Sequence, residues 1–580
     1  MAGIGNQLHP EVRMPIPMQK LTSTQLLALM SLSNDKEPFF LHQRKVKDVD
    51  GAASYIEPTP PRTPTSEDQD KDQQPSLETI LGYIDPVVEK LQKSEYGDIE
   101  AARELLKFLI GYAEQNVLSG KDIHTFVLSS PIKDSRKSKL LRSYYDALHT
   151  SNVIPRPPKN GLFGTLTKSL NASSKPLYTI FGGQGLRTNY VQELAEITAA
   201  YNPLVEDLIN DSAALLNKLS NTSRDVREIF SESFNILAWL QDSANIPGPG
   251  YLSSAPFSAP LVGLIQLAHY EVTCKILGLT PGEFCKQIAG TTGHSQGIIT
   301  AAVVATGKDW SSWREITRTT ITMLFWIGVR TQQVWNTSSS NSAISHAMSQ
   351  DCIDHSEGTP SPMLSVRGLA RETLQGYVDA ANRYLKQSSR ILSINMTNGP
   401  RQFVISGPPK YLYGLALQIR KAKRLETHGN CEEEDSKEKA VGSRFLEVSV
   451  PFHSVWLEDA VPFIQDDLKG ILLRPSAMAV PVFGSEDGRE ICRLSNTDDE
   501  MDLLDTLIMS VVSKRVDWEL ASAFPHSSAS TKTVLDFGPG GVHGISSLYS
   551  SAGRSGADII LVGTLGGGKS RFGHKGDLFR

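Results

Sequence analysis

The chain has 580 residues and a formal net charge of −5, from 58 basic and 63 acidic side chains. With 40% hydrophobic and 21% charged residues, it can bury a large core, which excludes a globally disordered chain. The small negative charge disfavours a nucleic-acid-binding protein, which would carry a basic excess. At roughly 150 residues per domain, the length predicts about three or four domains.

The sequence gives no sign of a membrane or secretory protein. No apolar run reaches the roughly 18–20 residues that a membrane helix needs, and residues 1–20 lack the basic start and apolar block of a signal peptide. The five cysteines are odd in number and never spaced C-x-x-C, which is typical of free thiols in a reducing compartment and excludes a zinc ribbon. We therefore expect a cytoplasmic protein with no metal, no membrane partner and no nucleic-acid partner.

The first part of the chain predicts a small helical region. Residues 1–56 form an N-terminal segment, and residues 57–75, rich in Pro, Thr and acid, have no apolar periodicity and predict a mobile linker. Apolar residues then recur at helical spacing from Leu77 to Leu91 and from Ile99 to Ile110. We expect a helical region over residues 76–155, with no chemistry of its own.

From Leu177 onward, strand-like and helix-like stretches alternate, which predicts an α/β fold. Within it, residues 361–448 follow the order β-α-β-β-α-β of a split ferredoxin-like subdomain. The predicted strands are Met363–Arg367, Ile391–Met396, Phe403–Ser406 and Phe445–Val448, and the predicted helices are Arg371–Leu385 and Tyr411–Arg424. We expect this subdomain to be inserted between the two parts of a large subdomain, residues 176–360 and 449–565, with a flexible exit over 566–580. Residues 338–362, rich in Ser and Asn, predict a surface excursion.

The sharpest motif is Gly293-His294-Ser295-Gln296-Gly297, which fits G-x-S-x-G. In this pattern a tight strand-to-helix turn lifts a serine hydroxyl clear of the sheet, and the glycines avoid clashes within the turn. Ile288–Thr291 is the predicted strand, and Ile298–Val304 is the start of a predicted buried helix. Ser295 is therefore a candidate nucleophile, and a glycine-rich turn with an ordinary serine is the alternative.

A serine nucleophile needs a base, and 13 histidines leave the choice open. His294 is adjacent to Ser295 and is expected to point away from the serine hydroxyl. His453 follows a predicted strand that ends at Val450, and a base at a strand end on the same face is suitably placed. A structural role for His453 is the alternative.

A second motif predicts no function. Gly563–Ser570 satisfies G-x-x-x-x-G-K-[ST], which in a phosphate-binding loop is followed by a helix whose N-terminus faces the anion. Only ten residues follow Ser570, and two of them are glycines. Because no adequate helix can form there, we interpret the match as accidental.

Six short motifs occur in one order along the chain. They are Phe181–Gly185 (FGGQG), Gly293–Gly297 (GHSQG), Ser361–Ser365 (SPMLS), Ser406–Pro409 (SGPP), Pro451–Ser454 (PFHS) and Asp536–Gly541 (DFGPGG). With them the sequence resembles the malonyl/acyl-CoA:acyl-carrier-protein transacylases, and more closely the N-terminal acetyl/acyl-transferase portion of the β subunit of fungal type I fatty acid synthase. The likeness extends from about Leu77 to Leu565.

The resemblance implies the fold and the roles of four residues. It implies an α/β-hydrolase-like acyltransferase core with an inserted ferredoxin-like subdomain, preceded by the small helical region. Ser295 is then the nucleophile and His453 the general base. The backbone amides of Gln184 and Gln296 are the implied oxyanion hole; for Gln184, a plain glycine-rich turn is the alternative. The family often orients its histidine with a carbonyl or an amide, and the sequence identifies no acidic partner.

The resemblance also points to Ile327 as a specificity residue of the acyl pocket. Relatives that transfer malonyl groups carry an arginine in a segment resembling F-Y-R-G, where it pairs with the free carboxylate. The matching segment here is Phe325-Trp326-Ile327-Gly328, which predicts an uncharged acyl group. A purely structural role for Ile327 is the alternative, and Arg330, one turn further along, can neighbour the same face.

The function implied is acyl-CoA:acyl-carrier-protein S-acyltransferase, which loads acetyl or another short uncharged starter in a fatty acid synthase through an acyl-serine. We expect no bound cofactor; acyl-CoA and a phosphopantetheine thiol are the substrates. The expected partners are the acyl carrier protein domain and the remaining synthase domains and subunits. The later reductase, dehydratase and malonyl-palmitoyl transferase domains of the β subunit are absent from this sequence, which is either a piece of a longer protein or a free-standing relative.

Three alternatives to this function remain open. A starter-unit transacylase of a polyketide synthase would have the same fold. Such domains commonly carry cysteine in the nucleophile turn, so Ser295 favours the fatty acid synthase. A serine hydrolase or thioesterase would pass the acyl group to water. A non-catalytic scaffold would use the helical region to pack against synthase partners.

Overall fold

A computed structural model describes the chain over residues 44–45, 56–57, 77–93, 99–118, 120–129, 133–155, 177–185, 190–230, 233–338, 344–385, 391–427, 441–491, 503–524, 532–540, 544–551 and 557–562. The chain divides into two compact units, Met1–Pro155 and Arg156–Arg580. Each unit is described separately below.

The first unit is mainly helical in its described part. It contains an antiparallel pair of two-residue strands, β1 (Arg44–Lys45) and β2 (Ile56–Glu57). Four α-helices follow: α1 (Leu77–Gln92), α2 (Ile99–Tyr112), α3 (Ile123–Ser129) and α4 (Asp134–Thr150). Most of the apolar residues that recur at helical spacing in α1 and α2 are buried, among them Ile80, Ile84 and Leu105, whereas Leu91 is half-buried and Ile99 is exposed. A helix buries such a stripe against its neighbours, so the predicted helical region is confirmed.

A five-stranded parallel sheet forms the centre of the second unit, with strand order β12-β11-β3-β4-β9. The strands are β3 (Leu177–Phe181), β4 (Ile288–Gly293), β9 (Val482–Phe483), β11 (Lys532–Asp536) and β12 (Ala557–Leu561). Three predicted motifs directly follow β3, β4 and β11 or overlap their ends. Because neighbouring parallel strands end at the same edge of the sheet, the three motifs meet there, where α/β sheets bind their ligands.

Helices pack around this sheet. In chain order they are α5 (Tyr190–Ser220), α6 (Arg224–Arg227), α7 (Ile236–Gln241), α8 (Pro249–Leu252), α9 (Ala255–Leu277), α10 (Pro281–Cys285), α11 (Gly297–Val304) and α12 (Trp310–Ser338). Apart from Lys275, every residue of α9 is buried, as befits a helix that is apolar on all sides. Among the described residues, no helix combines the length and apolarity that crossing a membrane requires.

The inserted subdomain has the predicted ferredoxin-like topology. Its strands are β5 (Met363–Arg367), β6 (Ser393–Gly399), β7 (Gln402–Ser406) and β8 (Gly442–Phe445), and its helices are α14 (Arg371–Tyr384) and α15 (Pro409–Thr427), with α13 (His346–Asp354) before them. The sheet order β6-β7-β5-β8, with these neighbours antiparallel, is that of the split β-α-β-β-α-β fold. The predicted fold class is therefore confirmed.

The structure corrects three details of the sequence analysis. The last strand of the insert ends at Phe445, whereas the prediction placed it over Phe445–Val448. Residues 338–362 are not only a surface excursion, since α13 lies there and buries Cys352. A short strand from the later part of the chain, β10 (Val516–Asp517), extends the small sheet by pairing in parallel with β6.

The remaining helices follow the insert. They are α16 (Val461–Asp467), α17 (Leu503–Val512), α18 (Trp518–Ala521) and α19 (Ile545–Ser551). A 3₁₀ helix, Val455–Ala460, precedes α16 and begins two residues after His453. The insert packs its own apolar core between its sheet and helices, including Leu364, Phe403 and Ile419.

Candidate active site

Ser295 lies in the tight turn between β4 and α11 that the G-x-S-x-G pattern predicts. Its φ of +56° places a non-glycine residue in the left-handed region, a strained conformation found at functional sites. A Cβ on Gly293 would lie 1.9 Å from the carbonyl carbon of Gly297, and a Cβ on Gly297 would lie 2.3 Å from the carbonyl oxygen of Phe181. Both glycines are therefore required by close packing.

His453 contacts the serine directly. Its Nε2 lies 2.8 Å from Ser295 Oγ, and its Nδ1 lies 2.8 Å from the backbone carbonyl oxygen of Lys514. A carbonyl oxygen only accepts hydrogen bonds, so Nδ1 carries the proton of the neutral ring and Nε2 presents its lone pair to Ser295. The two side chains are buried, with His453 only 1% exposed.

Burial also sets the protonation state of this pair. It lowers the pKa of His453 to about 4, against the opposing hydrogen bond to the Lys514 carbonyl, and the positive charge of a protonated His294 would lower the pKa further. The ring is therefore neutral at neutral pH, which is the state in which it can accept the serine proton.

His294 makes its contacts away from the serine hydroxyl. Its Nε2 lies 2.8 Å from Oδ1 of Asn398 on β6, and its ring meets Trp518 edge to face at 5.4 Å. Burial lowers the pKa of His294, so this ring is also favoured in its neutral form. His294 thus joins the nucleophile turn to the inserted subdomain.

The predicted oxyanion-hole residues lie beside each other. Gln184 Nε2 donates to Gln296 Oε1 at 2.6 Å, and Gln184 Oε1 accepts from Ser258 Oγ at 2.8 Å. Gln296 Nε2 donates to the carbonyl oxygen of Ala259 at 3.0 Å. Across the described part of the chain, no group accepts a hydrogen bond from the backbone N–H of Gln184 or Gln296. Both amides are therefore available to an incoming oxygen.

A cleft of about 180 Å³ opens at Ser295 between the large and inserted subdomains. Its described lining comprises His294 and Ser295 of the turn after β4, the 182–185 turn, Met363, Ser365, Met396, Asn398, Val404, Leu446, Val448, Phe452, Pro539, Gly544, Ile545, Ser547 and Leu548. Most of these side chains are apolar or small. The lining contains no lysine or arginine among the residues that the structure describes.

A second cavity, of about 310 Å³, lies on the other side of the 182–185 turn. Gly183, Gln184 and Gly185 line both cavities. Its described lining also includes Ile246, Pro247, Leu252 and Val262, and its only charged member in the described part is Glu447. A cavity of this size, lined partly by apolar side chains, can hold an aliphatic group.

Ile327 lies in the interior of α12 and is fully buried. It does not belong to the described lining of either cavity. Arg330, one turn later, is bound by Asp467 through two hydrogen bonds of 2.5 and 2.9 Å and by Asp225 at 3.2 Å. Its guanidinium also lies over the ring of Trp326, 5.0 Å from the ring centroid. These contacts hold Arg330 within the protein, so its charge is already compensated.

The structure adds groups that the sequence analysis did not identify. The orienting partner of His453 is a backbone carbonyl, which any residue type can supply, so no sequence signal marks Lys514. Asn398 also belongs to no motif. Within the described residues, no group of three or more His, Cys, Asp and Glu side chains is arranged to hold a metal ion. The Gly563–Ser570 match lies outside the described residues.

Comparison with known proteins shows which families this chain is similar to. The model of the family described as "Starter unit:ACP transacylase in aflatoxin biosynthesis" matches residues 179–430, which include Gln184, Ser295, Gln296 and Ile327. Over these residues the chain is similar to the acyl-carrier-protein transacylases. The predicted resemblance is thereby confirmed.

The similar proteins include fungal fatty acid synthase β subunits. "Fatty acid synthase beta subunit TOXC" of Cochliobolus carbonum is 35% identical over 506 residues, which are 87% of this chain and 24% of that protein. "Fatty acid synthase subunit beta" of Saccharomyces cerevisiae is 34% identical over 494 residues, 84% of this chain and 23% of that protein. The chain thus spans about a quarter of the length of these relatives. Among solved structures, it is similar to MCAT from Streptococcus pneumoniae, with 16% identity, a TM-score of 0.43 and coverage of 67% of this chain and 95% of that one.

Proposed function

We propose that this chain transfers a short, uncharged acyl group from acyl-CoA to the phosphopantetheine thiol of an acyl carrier protein, through an acyl-Ser295 intermediate. The observation that carries the proposal is the Ser295–His453 pair, in which Oγ and Nε2 are 2.8 Å apart. The Lys514 carbonyl orients the ring so that Nε2 can accept the serine proton. No bound cofactor takes part in the reaction.

The first half-reaction acylates the serine. His453 Nε2 takes the Ser295 proton while Oγ attacks the thioester carbonyl carbon, and the carbonyl oxygen becomes an oxyanion. The backbone N–H groups of Gln184 and Gln296 bind this oxyanion, each contributing on the order of 3 kcal/mol. The carbon–sulfur bond then breaks, and the CoA thiolate takes the proton from His453.

The second half-reaction reverses these steps with another thiol. The phosphopantetheine thiol gives its proton to His453 Nε2, and its sulfur attacks the acyl-serine carbonyl carbon. The same two amides bind the second oxyanion. The carbon–oxygen bond breaks, Ser295 Oγ recovers the proton from His453, and the acyl group leaves as a thioester. The net reaction exchanges one thioester for another.

The cleft supports transfer to a thiol rather than to water. Ser295 and His453 are buried, and the described lining of the cleft is mostly apolar or small. A narrow apolar cleft holds little water and lets an extended pantetheine arm reach the serine. We therefore favour a transferase over a serine hydrolase, and the catalytic pair favours an enzyme over a scaffold.

The lining of the cleft also supports an uncharged acyl group. Among its described residues no cation is present to pair with a malonyl carboxylate, and Arg330 is held by Asp467 and Asp225. A carboxylate that leaves water without a partner is strongly disfavoured. Acetyl and other short alkyl groups lose no such interaction.

The partners and compartment follow from the relatives. The proteins at 34–35% identity are named fatty acid synthase β subunits, so we infer that the chain acts with an acyl carrier protein domain and other synthase domains. We place it in the cytoplasm, since Cys274, Cys285 and Cys352 are buried free thiols, which suit a reducing compartment. A starter-unit role for a polyketide synthase is the second candidate, because the description of the matching family names that activity.

Incubation with radiolabelled acetyl-CoA, with and without phosphopantetheinylated acyl carrier protein, tests the proposal. We expect label on a peptide that contains Ser295, stable alone and discharged to the carrier protein. Ser295→Ala should abolish labelling. Ser485→Ala is the matched control, because the Ser485 hydroxyl is also buried but has no hydrogen-bond partner among the residues that the structure describes.

Each other outcome identifies a different class of protein. Rapid release of free acetate in the absence of carrier protein would indicate a hydrolase. If the wild type is not labelled, and equal melting temperatures show that it and Ser485→Ala are both folded, the result would indicate a scaffold. A carrier protein from a fatty acid synthase and one from a polyketide synthase, compared at equal concentration, distinguish the two transacylase candidates by their kcat/KM.

A further inference from the structure

Gln266 is a polar side chain within the buried helix α9. It is fully buried, and its neighbours on both sides along the helix are apolar. A buried amide is costly unless its donors and acceptor are satisfied. The contacts of Gln266 therefore indicate why a glutamine is present in this helix.

Its amide connects three segments of the site. Gln266 Nε2 donates to the carbonyl oxygen of Gly182 at 2.8 Å and to that of Gly538 at 2.9 Å. Gln266 Oε1 accepts from Thr300 Oγ1 at 2.7 Å. Both hydrogens of Nε2 face oxygens that only accept, and Oε1 faces a hydroxyl donor, so the orientation of the amide is determined.

These three segments build the candidate active site. Gly182 precedes Gln184 by two residues in the turn after β3, and Thr300 lies on α11, which begins two residues after Ser295. Gly538 begins the loop whose Pro539 lines the cleft. Gly182 N also donates to the Gly538 carbonyl oxygen at 2.9 Å, so two donors from different segments converge on one acceptor.

The turn that contains Gln184 depends on such external contacts. Three of the four residues over 182–185 are glycines, which have no side chains to anchor the turn and which adopt many backbone conformations. The side chain of Gln184 holds one end of the turn through Gln296 and Ser258. The amide of Gln266 holds the other end, at the carbonyl of Gly182.

We propose that Gln266 is a positioning residue for the oxyanion hole. Its amide fixes the 182–185 turn against α11, so that the backbone N–H of Gln184 lies where the anionic oxygen of the tetrahedral intermediate forms. Gln266 contacts neither Ser295 nor His453 and acts through the backbone. The proposal rests on the acyl-serine mechanism proposed above.

The oxyanion exists only during the chemical step, which gives the proposal a kinetic signature. Loss of the Gln266 contacts displaces the backbone N–H of Gln184, which binds the oxyanion more strongly than it binds the carbonyl oxygen of the bound substrate. We therefore expect kcat to fall while KM changes little. A purely structural role would lower the melting temperature and would not affect the acylation rate of the folded fraction selectively.

Three variants of the full chain test this role. Gln266→Met keeps the length of the side chain and removes the amide. Thr300→Val removes only the hydroxyl that orients the amide. Thr273→Val is the matched control, because Thr273 is also fully buried and its hydroxyl donates only to the His269 carbonyl of its own helix, at 2.8 Å. For each variant, single-turnover acylation of Ser295 by acetyl-CoA, KM and melting temperature are measured.

We expect Gln266→Met to lower the acylation rate constant about tenfold to a hundredfold. This decrease is smaller than the one that follows complete removal of an oxyanion-hole donor. Thr300→Val should lower it about twofold to fivefold, with KM unchanged for both, and Thr273→Val should match wild type. Acylation by Gln266→Met and Thr300→Val at the wild-type rate would overturn the role, as would equal losses in Thr273→Val. If Gln266→Met does not fold, Thr300→Val against Thr273→Val decides. Failure of the wild type itself to form acyl-Ser295 would instead contradict the proposed function.

Discussion

The buried state of His453 predicts an unusual pH profile for acylation. Burial lowers the pKa of His453 to about 4, and only the neutral ring can act as the base. At pH 5, a histidine with this pKa is about 90% neutral, whereas one with the unperturbed pKa of about 6.5 is about 3% neutral. The perturbation by burial thus corresponds to a difference of about thirtyfold in the active fraction at pH 5.

Single-turnover labelling of Ser295 by acetyl-CoA, measured from pH 4.5 to 8, tests this profile. We expect the rate constant at pH 5 to stay close to its value at pH 8 and to fall as the pH approaches 4. A thirtyfold decrease at pH 5, with a midpoint near 6.5, would show that the imidazole is hydrated and would refute the reasoning.

Asp536 provides the necessary control for this experiment. Burial raises the pKa of its carboxyl to about 7, although hydrogen bonds from Ser546 and the Gly538 N–H favour the charged form. Asp536 is the last residue of β11, the strand next to β3, and the loop after it lines the cleft. A decrease in rate near pH 7 that disappears in Asp536→Asn belongs to this carboxyl, while one that persists in the variant belongs to the histidine.

Three further substitutions have specific expected outcomes. Ser295→Ala should abolish the acyl-enzyme, as mass spectrometry would show, and leave the melting temperature nearly unchanged because little volume is lost; persistent labelling would place the nucleophile elsewhere. Gly293→Ala should lose several kcal/mol of stability or fail to fold, since its Cβ would meet the Gly297 backbone at 1.9 Å, and chemical denaturation measures this; a wild-type midpoint would contradict the packing. Lys569→Ala should leave acyl transfer unchanged, and ATP with magnesium should not shift the melting temperature; a binding isotherm for ATP that the substitution removes would show that the Gly563–Ser570 match is functional.

The α/β fold and its insert were predictable because their signals are local. Short apolar stretches mark β5 and β7, and helical spacing marks α14, so the order of elements in the ferredoxin-like subdomain follows from the sequence. The end of β8 does not, because the apolar side chains Leu446 and Val448 continue beyond the last paired residue. They line the cleft instead of extending the sheet.

Long-range contacts explain the elements that the sequence did not indicate. The Ser- and Asn-rich segment before β5 forms the helix α13, because Arg420 of α15 binds Asp351 at 2.6 Å and Glu357 at 2.5 Å. The two-residue strand β10 is too short to have a pattern and exists only by pairing with β6. Neither contact leaves a local periodicity in the sequence.

The candidate site also contains residues that the sequence identifies and residues that it does not. Side chains within motifs, Ser295 and His453 among them, were identified from the sequence and lie within hydrogen-bond distance of each other. The carbonyl of Lys514 left no signal, because every residue type has one. Gln266 has a signal that the sequence analysis did not use, which is a glutamine directly after the apolar run over residues 259–265.

The last prediction concerns which acyl group is preferred, and the structure supports it with contacts that the sequence alone does not show. A malonyl carboxylate would need a cation, and none lines the cleft in the part of the chain that the structure describes. The nearest candidate by sequence, Arg330, is held by Asp467 and Asp225 and would have to leave both carboxylates to reach a substrate. If an unpaired carboxylate costs at least 3 kcal/mol, acetyl-CoA should be preferred over malonyl-CoA by about a hundredfold in kcat/KM. Arg330→Gln should leave this ratio unchanged, whereas Ile327→Arg should lower the melting temperature, because Ile327 is fully buried outside the described lining of both cavities and its replacement would bury an unpaired charge. Competition between the two thioesters, followed by mass spectrometry of the Ser295 peptide, measures the ratio directly. Equal wild-type rates that become unequal in Arg330→Gln would show that Arg330 supplies the charge after all, and that its two carboxylate partners release it on binding.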